Sequence, residues 1–318
     1  MIMIATRTKT SHLPCFGKLV LAVTLAAFAL ASQAAAQQSF ATPDAAAEAL
    51  ATAAQSGDRK AVLTVLGAAA ADLVTSGDDV QDEETRKAFV AAYAAKHRVA
   101  TEAGKPATLV IGQDDFPFPI PLVQKGDSWQ FNAAAGRQEI LARRIGRNEL
   151  AVIQVCLAYY DAQNEYAEMT PKAKAMSVYA QRIVSSPGKK DGLYWPTAAG
   201  EPESPIGRAV AEASQRGYKI GSDSAFHGYK YKILTRQGAA APGGALDYLV
   251  KGQMIGGFAL IAWPAEYGNS GVATFMVSHS GEVYEKDLGP NTAQIASRTS
   301  SFNPDDSWKK VNVTEEKK

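Results

Sequence analysis

The sequence predicts an α+β protein of two domains: helices followed by a curved antiparallel sheet, then a long helix packed on a second antiparallel sheet. Three observations lead to this prediction. Apolar residues between Phe40 and His97 recur at helical spacing, and the pattern then changes to strand spacing. A long amphipathic stretch follows from Arg137, and the last third consists of short alternating segments separated by turns. Because helices and strands form separate blocks, the order is typical of the α+β class.

The first 36 residues have the three parts of a cleavable secretory signal. Arg7, Lys9 and Lys18 supply positive charge, and the segment contains no acidic residue. The apolar run Leu19–Leu30 is followed by small residues that suit cleavage near Ala36. Since this run is shorter than the roughly 20 residues that a spanning helix needs, we predict a periplasmic or secreted protein without stable membrane insertion.

The charge balance argues against nucleic acid as a partner. The chain has 33 basic and 32 acidic residues, and loss of the signal removes only basic ones, so the mature chain is slightly negative. Nucleic-acid binding needs a basic surface that contacts phosphates. The signal also contains Cys15, one of two cysteines, so the mature chain cannot form an internal disulfide. We predict that the remaining thiol, Cys156, is buried in its apolar helical stretch.

The first domain is predicted at residues 38–136. Thr42-Pro43-Asp44 caps a helix that Gly57-Asp58 ends, and Asp82 is predicted as the cap of a later helix. Prolines 117, 119 and 121 remove three backbone donors, which indicates an edge strand or an extended stretch there. The other predicted elements are helices at 59–66 and 83–97 and strands at 107–111, 118–125 and from residue 129 onward.

The second domain is predicted at residues 137–302. Its long helix runs from Arg137 to about Met169, with an irregularity near Gly146 and with Leu150 on its apolar face. Strands are predicted at 229–235, 246–250, 258–263, 272–277 and 283–284.

Irregular and terminal segments complete the predicted organisation. A loop occupies about 171–205, with a short helical piece at 172–183. A further helix at 206–216 is stopped by Gly217. The charged residues 303–318 are predicted to form a flexible tail.

No motif in the sequence predicts a catalytic, cofactor-binding or metal-binding residue. The loop Gly268-Asn269-Ser270-Gly271 resembles a nucleophile loop, yet no histidine stands in a triad context, so a plain turn is preferred. His227 and His279 lack the tight spacing of metal ligands. The acidic residues at 78–84 lack the spacing of a calcium-binding loop, and helix capping explains them.

A recognition surface is the only kind of site that the sequence indicates. The segments Phe116-Pro-Phe-Pro and Trp263-Pro-Ala-Glu-Tyr267 are rich in aromatic residues, which contribute strongly to binding interfaces. The two histidines flank turn glycines, which indicates exposed loop positions. The predicted recognition residues are Phe116, Phe118, His227, Trp263, Glu266, Tyr267 and His279.

Two stretches, FPFPIPLVQKGDSWQF from Phe116 and GYKYKILTRQG from Gly228, resemble the bacterial domain of unknown function 2950, over nearly the whole mature chain. That resemblance implies no activity. The first domain is also similar in layout to the cystatin-like cone of nuclear-transport-factor-like proteins, and the second resembles a type IV pilin headgroup. Because the chain lacks a prepilin cleavage motif and the apolar half of a pilin helix, the resemblance implies a binding face without ordinary filament assembly.

Two functional hypotheses follow from the sequence. The first is an exported, non-catalytic protein that binds an envelope protein or a glycan and needs no cofactor. The alternative is a small-molecule-binding or hydrolytic protein that uses a pocket of the first domain. A buried polar cluster inside the first domain would favour this alternative, and a filled interior would exclude it.

Overall fold

The computed structural model describes residues 37–102, 104–169, 176–219 and 224–312, so the predicted signal lies outside the described residues. Its first helices begin where the sequence supplies caps. Thr42 Oγ1 accepts a hydrogen bond from the amide of Ala45 at 3.1 Å, and Gly57 ends the same helix with a φ of 71°. The four helices of this part are α1 (Pro43–Ser56), α2 (Arg59–Leu66), α3 (Ala71–Val74) and α4 (Asp79–Ala95).

Helix α4 begins earlier than the sequence predicts. Its N-cap is Asp78, whose carboxylate accepts a hydrogen bond from the amide of Gln81 at 3.1 Å. The predicted cap, Asp82, lies in the first turn, so that prediction is wrong. The physical reason is that the Asp82 carboxylate already accepts hydrogen bonds from the amide and the hydroxyl of Ser76, at 3.0 and 2.7 Å.

Five short strands follow α4. They are β1 (His97–Ala100), β2 (Thr108–Ile111), β3 (Phe116–Pro117), β4 (Leu122–Lys125) and β5 (Ser128–Phe131). Strands β1, β2 and β3 form one antiparallel sheet, and β4 pairs with β5 as a hairpin. The single strand predicted at 118–125 is shortened to β4, because prolines 119 and 121 cannot donate to a ladder.

The long helix α5 (Ala133–Glu168) connects two hydrophobic cores. It begins four residues before the predicted start, because Asn132 Oδ1 accepts a hydrogen bond from the amide of Ala135 at 3.2 Å. It continues through Gly146 as a regular helix, so the predicted irregularity is absent. We call the described residues from 37 to 132 the N-lobe and those from 176 to 312 the C-lobe.

The buried face of α5 differs from the predicted one. Leu150 is 68% exposed, although its apolar side chain indicated a core position. Asn148 and Gln163 are fully buried instead, because loops of the C-lobe provide hydrogen-bond partners. Asn148 Nδ2 donates to the carbonyl of Ser270 at 2.8 Å, and Gln163 Nε2 donates to that of Ala180 at 2.8 Å.

An antiparallel sheet dominates the C-lobe. The elements of the C-lobe are α6 (Gly207–Arg216), β6 (Tyr229–Leu234), β7 (Arg236–Gln237), β8 (Leu246–Asp247), β9 (Leu249–Val250), β10 (Gln253–Met254), β11 (Ala259–Pro264), β12 (Ala273–Ser278), β13 (Val283–Asp287), α7 (Thr292–Arg298) and β14 (Lys309–Lys310). The main sheet has the order β14-β13-β12-β11-β6, and two small hairpins pair β7 with β8 and β9 with β10. The predicted α+β class is therefore confirmed.

Packing against α5 buries one face of this sheet. Every residue of β11 is buried, and Ala262 lies opposite Tyr231 on one side and Phe275 on the other. Cys156 of α5 has no exposed surface, which confirms its predicted burial. Burial raises the pKa of this thiol to about 12.

Two predicted loop features take other forms. Residues 176–183 contain bends and a bridge at Tyr179, where a helical piece was predicted, while 170–175 lie outside the described residues. The segment predicted as a flexible tail contains β14, and both Trp308 and Val311 pack against the C-lobe core. Apolar burial therefore orders residues 303–312 despite the charged composition. None of the helices in the four described ranges is long and apolar enough to cross a membrane.

Candidate functional site

A cavity of about 540 Å³ lies in the N-lobe, against the first half of α5. Helices α1, α2 and α4 contribute to its wall, as do the ends of the strands. Apolar side chains make up most of this wall. They include Leu50, Val62, Leu66, Phe89, Ile120 and Ile140. The interior of the N-lobe is therefore open to a small molecule, in the size range of roughly 300–1,000 Å³ that is common for ligand pockets.

Polar groups gather at one part of this cavity, around the first turn of α4. Ser76 and Asp82 line it and are joined by the two hydrogen bonds from Ser76 to the Asp82 carboxylate. The Asp82 side chain is only 7% exposed, and Arg59 Nη2 lies 3.7 Å from its Oδ2. Burial raises the pKa of Asp82, although the hydrogen bonds from Ser76 oppose the shift. We call Ser76, Gln81, Asp82, Arg144 and Arg147 the polar end of the cavity.

Arg144 brings a buried positive charge to the polar end. It is 8% exposed, and its guanidinium donates to the carbonyls of Asp72 and Leu73 and to Oδ1 of Asn269. Burial lowers the pKa of Arg144, the charge of Asp82 opposes this shift, and the nearby charge of Arg147 adds to it. No carboxylate oxygen of the described chain lies within 4 Å of either guanidinium. The two arginines therefore form no direct ion pair in the described chain, although Asp82, Asp72 and Glu266 act on Arg144 from farther away.

Gln81 adds an incompletely paired amide to the polar end. Its side chain is buried and lines the cavity, and Oε1 has no hydrogen-bond partner among the described residues. A buried polar atom without a partner is uncommon in folded proteins. The unpaired amide is consistent with a site whose hydrogen bonds are completed by another molecule.

The C-lobe fixes the loop that precedes α4. Asp78 is 2% exposed, and its Oδ2 accepts hydrogen bonds from the Tyr218 hydroxyl at 2.9 Å and the Gly228 amide at 3.0 Å. Asn269 Nδ2 donates to the carbonyl of Thr75 at 2.9 Å. These contacts hold the loop from both sides, so the position of the polar end depends on residues distant in sequence.

Ion pairs and an arginine–aromatic contact lie in the rest of the cavity wall. Arg59 pairs with Asp79 at 2.7 Å, and Arg86 pairs with Glu83 at 2.5 Å. The guanidinium of Arg143 lies 4.8 Å from the ring centroid of Phe116, which is a cation–π distance. The cavity wall is therefore apolar inside and charged around its edge.

The structure brings two of the predicted recognition residues to this cavity. Phe116 and Phe118 both line it. Phe116 is 45% exposed, whereas Phe118 is half-buried and packs on Phe89 with ring centroids 5.4 Å apart. These two rings thus lie in a concave site, where the sequence indicated a surface.

Three other predicted recognition residues lie on and after β11. Trp263 is 8% exposed and belongs to the C-lobe core. Glu266 Oε2 accepts a hydrogen bond from Asn269 Nδ2 at 2.7 Å, and the Tyr267 hydroxyl donates to Asp287 Oδ2 at 3.2 Å. Internal contacts therefore occupy these side chains.

The two histidines are in separate surroundings. His227 has a φ of 52° and stacks edge-on against Phe226, with Arg216 and Asp78 close enough to affect its pKa, which burial lowers. His279 packs against Tyr248 and Phe258, and burial lowers its pKa as well. Within the described residues, no group of three or more His, Cys, Asp or Glu side chains could hold a metal ion.

The loop at 268–271 has a structural role in the described chain. Ser270 is fully buried, and its hydroxyl accepts a hydrogen bond from the Glu266 amide at 3.0 Å. The plain turn that the sequence favoured is therefore present.

The cavity residues at the polar end were not predicted from the sequence. The acidic cluster at 78–84 indicated helix capping alone, and nothing in the sequence singled out Arg144 or Arg147. A spacing of three between Arg144 and Arg147 was the one available signal, because residues three apart share a helix face. This spacing predicts a site only once the position of the loop before α4, next to that face of the helix, is known.

The fold and the cavity define the chain as an α+β protein with a small-molecule-sized, apolar site in its N-lobe. Residues 37–311 match a family described as proteins of unknown function (DUF2950), and the chain belongs to that family. A search of curated proteins found no match, and a search of solved structures found none either.

Proposed function

We propose that the chain is an exported binding protein whose N-lobe cavity holds a small molecule with an apolar body. The observation that carries this proposal is the cavity of about 540 Å³. Ligand sites are typically concave and mostly apolar, with a few polar groups. A mostly apolar cavity of this size supports a role in binding.

The chemistry of the wall supports binding over hydrolysis. A hydrolytic site needs a nucleophile with a base in hydrogen-bonding reach. Ser76 donates its hydroxyl proton to Asp82, and no histidine or cysteine of the described residues lines the cavity. Ser76 therefore lacks the imidazole partner that activates a serine in the known triads.

A tryptophan substitution in the cavity wall tests the proposed function. Ala88 of α4 is exposed and lines the cavity, whereas Ala91 is exposed on the same helix and does not line it. The probe is N-phenyl-1-naphthylamine, a neutral dye whose fluorescence increases in apolar surroundings. We expect the wild-type chain to bind the dye saturably, and Ala88→Trp to weaken binding by about tenfold or more because the indole occupies the site.

The matched control is Ala91→Trp, which should bind the dye like the wild type. Both variants must retain the wild-type circular-dichroism spectrum. Saturable binding that is equal in all three proteins would place the dye elsewhere, and absence of binding to the wild type would contradict the proposed function.

The export part of the proposal depends on the signal-like first 36 residues. Mass spectrometry of the protein recovered from the medium and the periplasm should give a mature N-terminus close to Gln37. Recovery of the full-length chain from the cytoplasm alone would contradict export.

Binding of an envelope protein or a glycan to the predicted recognition surface stays a hypothesis. Of its residues, Phe116 is 45% exposed, and Glu266 and His279 are exposed as well. The cavity therefore provides the stronger argument for a small ligand.

A further inference from the structure

We propose that the ligand is a single-chain amphiphile with an anionic head group, and that Arg147 and Arg144 recognise this head at the polar end of the cavity. This inference rests on the proposed binding function and names the class of ligand. Three features of the cavity support it: two arginines without an ion pair in the described chain, the unpaired amide of Gln81 and the length of the apolar surface.

Of the arginines that line the cavity in the described chain, Arg144 and Arg147 form no ion pair within 4 Å. Arg59 is compensated by Asp79 and Asp82, at 2.7 and 3.7 Å. In the same way, Glu83 compensates Arg86. Arg144 and Arg147 have no carboxylate within 4 Å in the described residues and repel each other, although Asp82, Asp72 and Glu266 act on Arg144 from farther away. A bound anion between the two arginines would reduce this repulsion and would give Arg147 an ion-pair partner.

The two arginines have complementary roles. Arg144 is buried and fixed by two backbone carbonyls and by Asn269, so it supplies a positive charge at a set position. Arg147 is exposed and has no hydrogen bond within the described chain, so its guanidinium can form a bidentate contact with a head group. The Asp114 carboxylate also lines the cavity, where it is exposed in the turn just before Phe116.

Gln81 supplies the second, independent indication of a ligand. It is 7% exposed, lines the cavity beside Asp82 and leaves Oε1 without a partner in the described part of the chain. A carboxamide can present either an acceptor or an NH2 donor to a head group. The polar end thus offers Arg144, Arg147 and the Gln81 amide to a ligand, beside the carboxylate of Asp82.

The apolar wall fits an extended chain better than a compact ring. Gln81 at the polar end and Phe89 in the apolar wall both line the cavity from α4. Eight residues of α-helix separate them, which corresponds to about 12 Å along the axis. A ligand that contacts both residues is therefore elongated.

Competition against the neutral dye tests the charge of the head group. The competitors are dodecanoate, 1-dodecanol and dodecyltrimethylammonium, which share one chain length and differ in the charge of the head. We expect dodecanoate to displace the dye at a concentration at least about tenfold lower than the alcohol, because a hydrogen bond to a charged group contributes that much or more. The ammonium compound should be the weakest competitor.

The arginine variants assign the preference to the proposed residue. Arg147→Gln should remove the advantage of dodecanoate over the alcohol, with each displacement corrected for the dye affinity measured in the same variant. Arg147→Lys should retain part of the advantage, because the positive charge is kept. The control is Arg236→Gln, an exposed arginine of the C-lobe that does not line the cavity and should behave like the wild type.

The outcomes separate the two proposals. If the wild type binds the dye and releases it equally to dodecanoate and dodecanol, the anionic head is refuted and the binding function stands. An unchanged preference in Arg147→Gln would refute the role of Arg147. If neither the dye nor any competitor binds the wild type, the binding function fails and the inference fails with it.

Discussion

Nη1 of Arg144 donates a hydrogen bond to Oδ1 of Asn269, a residue 125 positions later in the chain. The same amide donates through Nδ2 to the carbonyl of Thr75 at 2.9 Å, in the loop before α4. One C-lobe side chain therefore bridges the long helix and the loop that forms the polar end of the cavity. The N-lobe site is held in shape by the C-lobe.

Replacing Asn269 with alanine should destabilise the whole protein. The change leaves the buried Arg144 guanidinium and the Thr75 carbonyl each with one hydrogen bond fewer. Unmade hydrogen bonds of buried groups, one of them charged, cost about 2–4 kcal/mol in total. Urea denaturation followed by circular dichroism measures this loss. Asn291→Ala is the control, because Asn291 is exposed and forms no capping bond, and its effect should stay within about 0.5 kcal/mol.

Replacing two glycines of α5 with alanine should change the stability of the protein in opposite directions. A Cβ on Gly136 would lie 2.5 Å from the carbonyl oxygen of Pro119, so Gly136→Ala must push the helix away from that segment. We expect a loss of about 1–3 kcal/mol. A Cβ on Gly146 would meet nothing within 4 Å, so Gly146→Ala should gain about 0.5–1 kcal/mol from helix propensity. Thermal denaturation of both variants checks this prediction, and two changes of the same sign would contradict it.

Asp82 should make stability fall as the pH rises. Burial raises the pKa of its carboxyl, so the folded state binds the proton more tightly than the unfolded chain does. Its contribution is present below the unfolded pKa of about 3.9 and is lost as the pH increases through the folded pKa. Asp82→Asn removes the pH-dependent contribution of this carboxyl to the free energy of unfolding. The variant should therefore gain stability relative to the wild type between about pH 4 and pH 7. Urea titrations over this pH range measure the difference.

Glu84 provides the control with the opposite sign. Hydrogen bonds from Arg216, at 2.8 Å to each carboxylate oxygen, lower the pKa of Glu84. Its contribution is present above the unfolded pKa and is lost as the pH decreases through the folded pKa. Glu84→Gln should therefore lose stability relative to the wild type at neutral pH and approach it in acid. Parallel profiles for the two variants would contradict both assignments.

Cys156 should resist alkylation until the protein unfolds. Its thiol has no exposed surface, and burial raises its pKa to about 12. Since the thiolate is the reactive form, modification by iodoacetamide should be slower than that of an exposed cysteine by about a hundredfold or more. Peptide mapping by mass spectrometry with and without urea measures the rates. Leu150→Cys supplies the exposed reference on the same helix, and equal native-state rates at the two positions would refute the burial.

Local sequence was a good guide to where the helices occur. The Thr42 side chain caps the start of α1, and Gly57 ends it. Gly217 ends α6 in a left-handed conformation, which glycine adopts readily because it has no side chain. The strands of the main sheet were also close to the predicted segments. These features depend on neighbours within a few residues, which a sequence displays directly.

The buried face of α5 shows where the same reasoning fails. Hydrophobicity indicated Leu150 as a core residue and gave no reason to bury Asn148 or Gln163. The structure reverses the assignment because loops of the C-lobe provide partners for both amides. Whether a polar side chain can be buried depends on hydrogen bonds to distant segments, and periodicity contains no information about them.

The sequence by itself determined the α+β class, the family resemblance, the burial of Cys156 and the caps of several helices, since these follow from local propensity and apolar content. Only the tertiary structure decided that the N-lobe contains a cavity and that Gln81, Arg144 and Arg147 line it. The reason is physical. An opening arises from how helices pack against one another, and an uncompensated charge exists only where no counter-charge lies nearby in space.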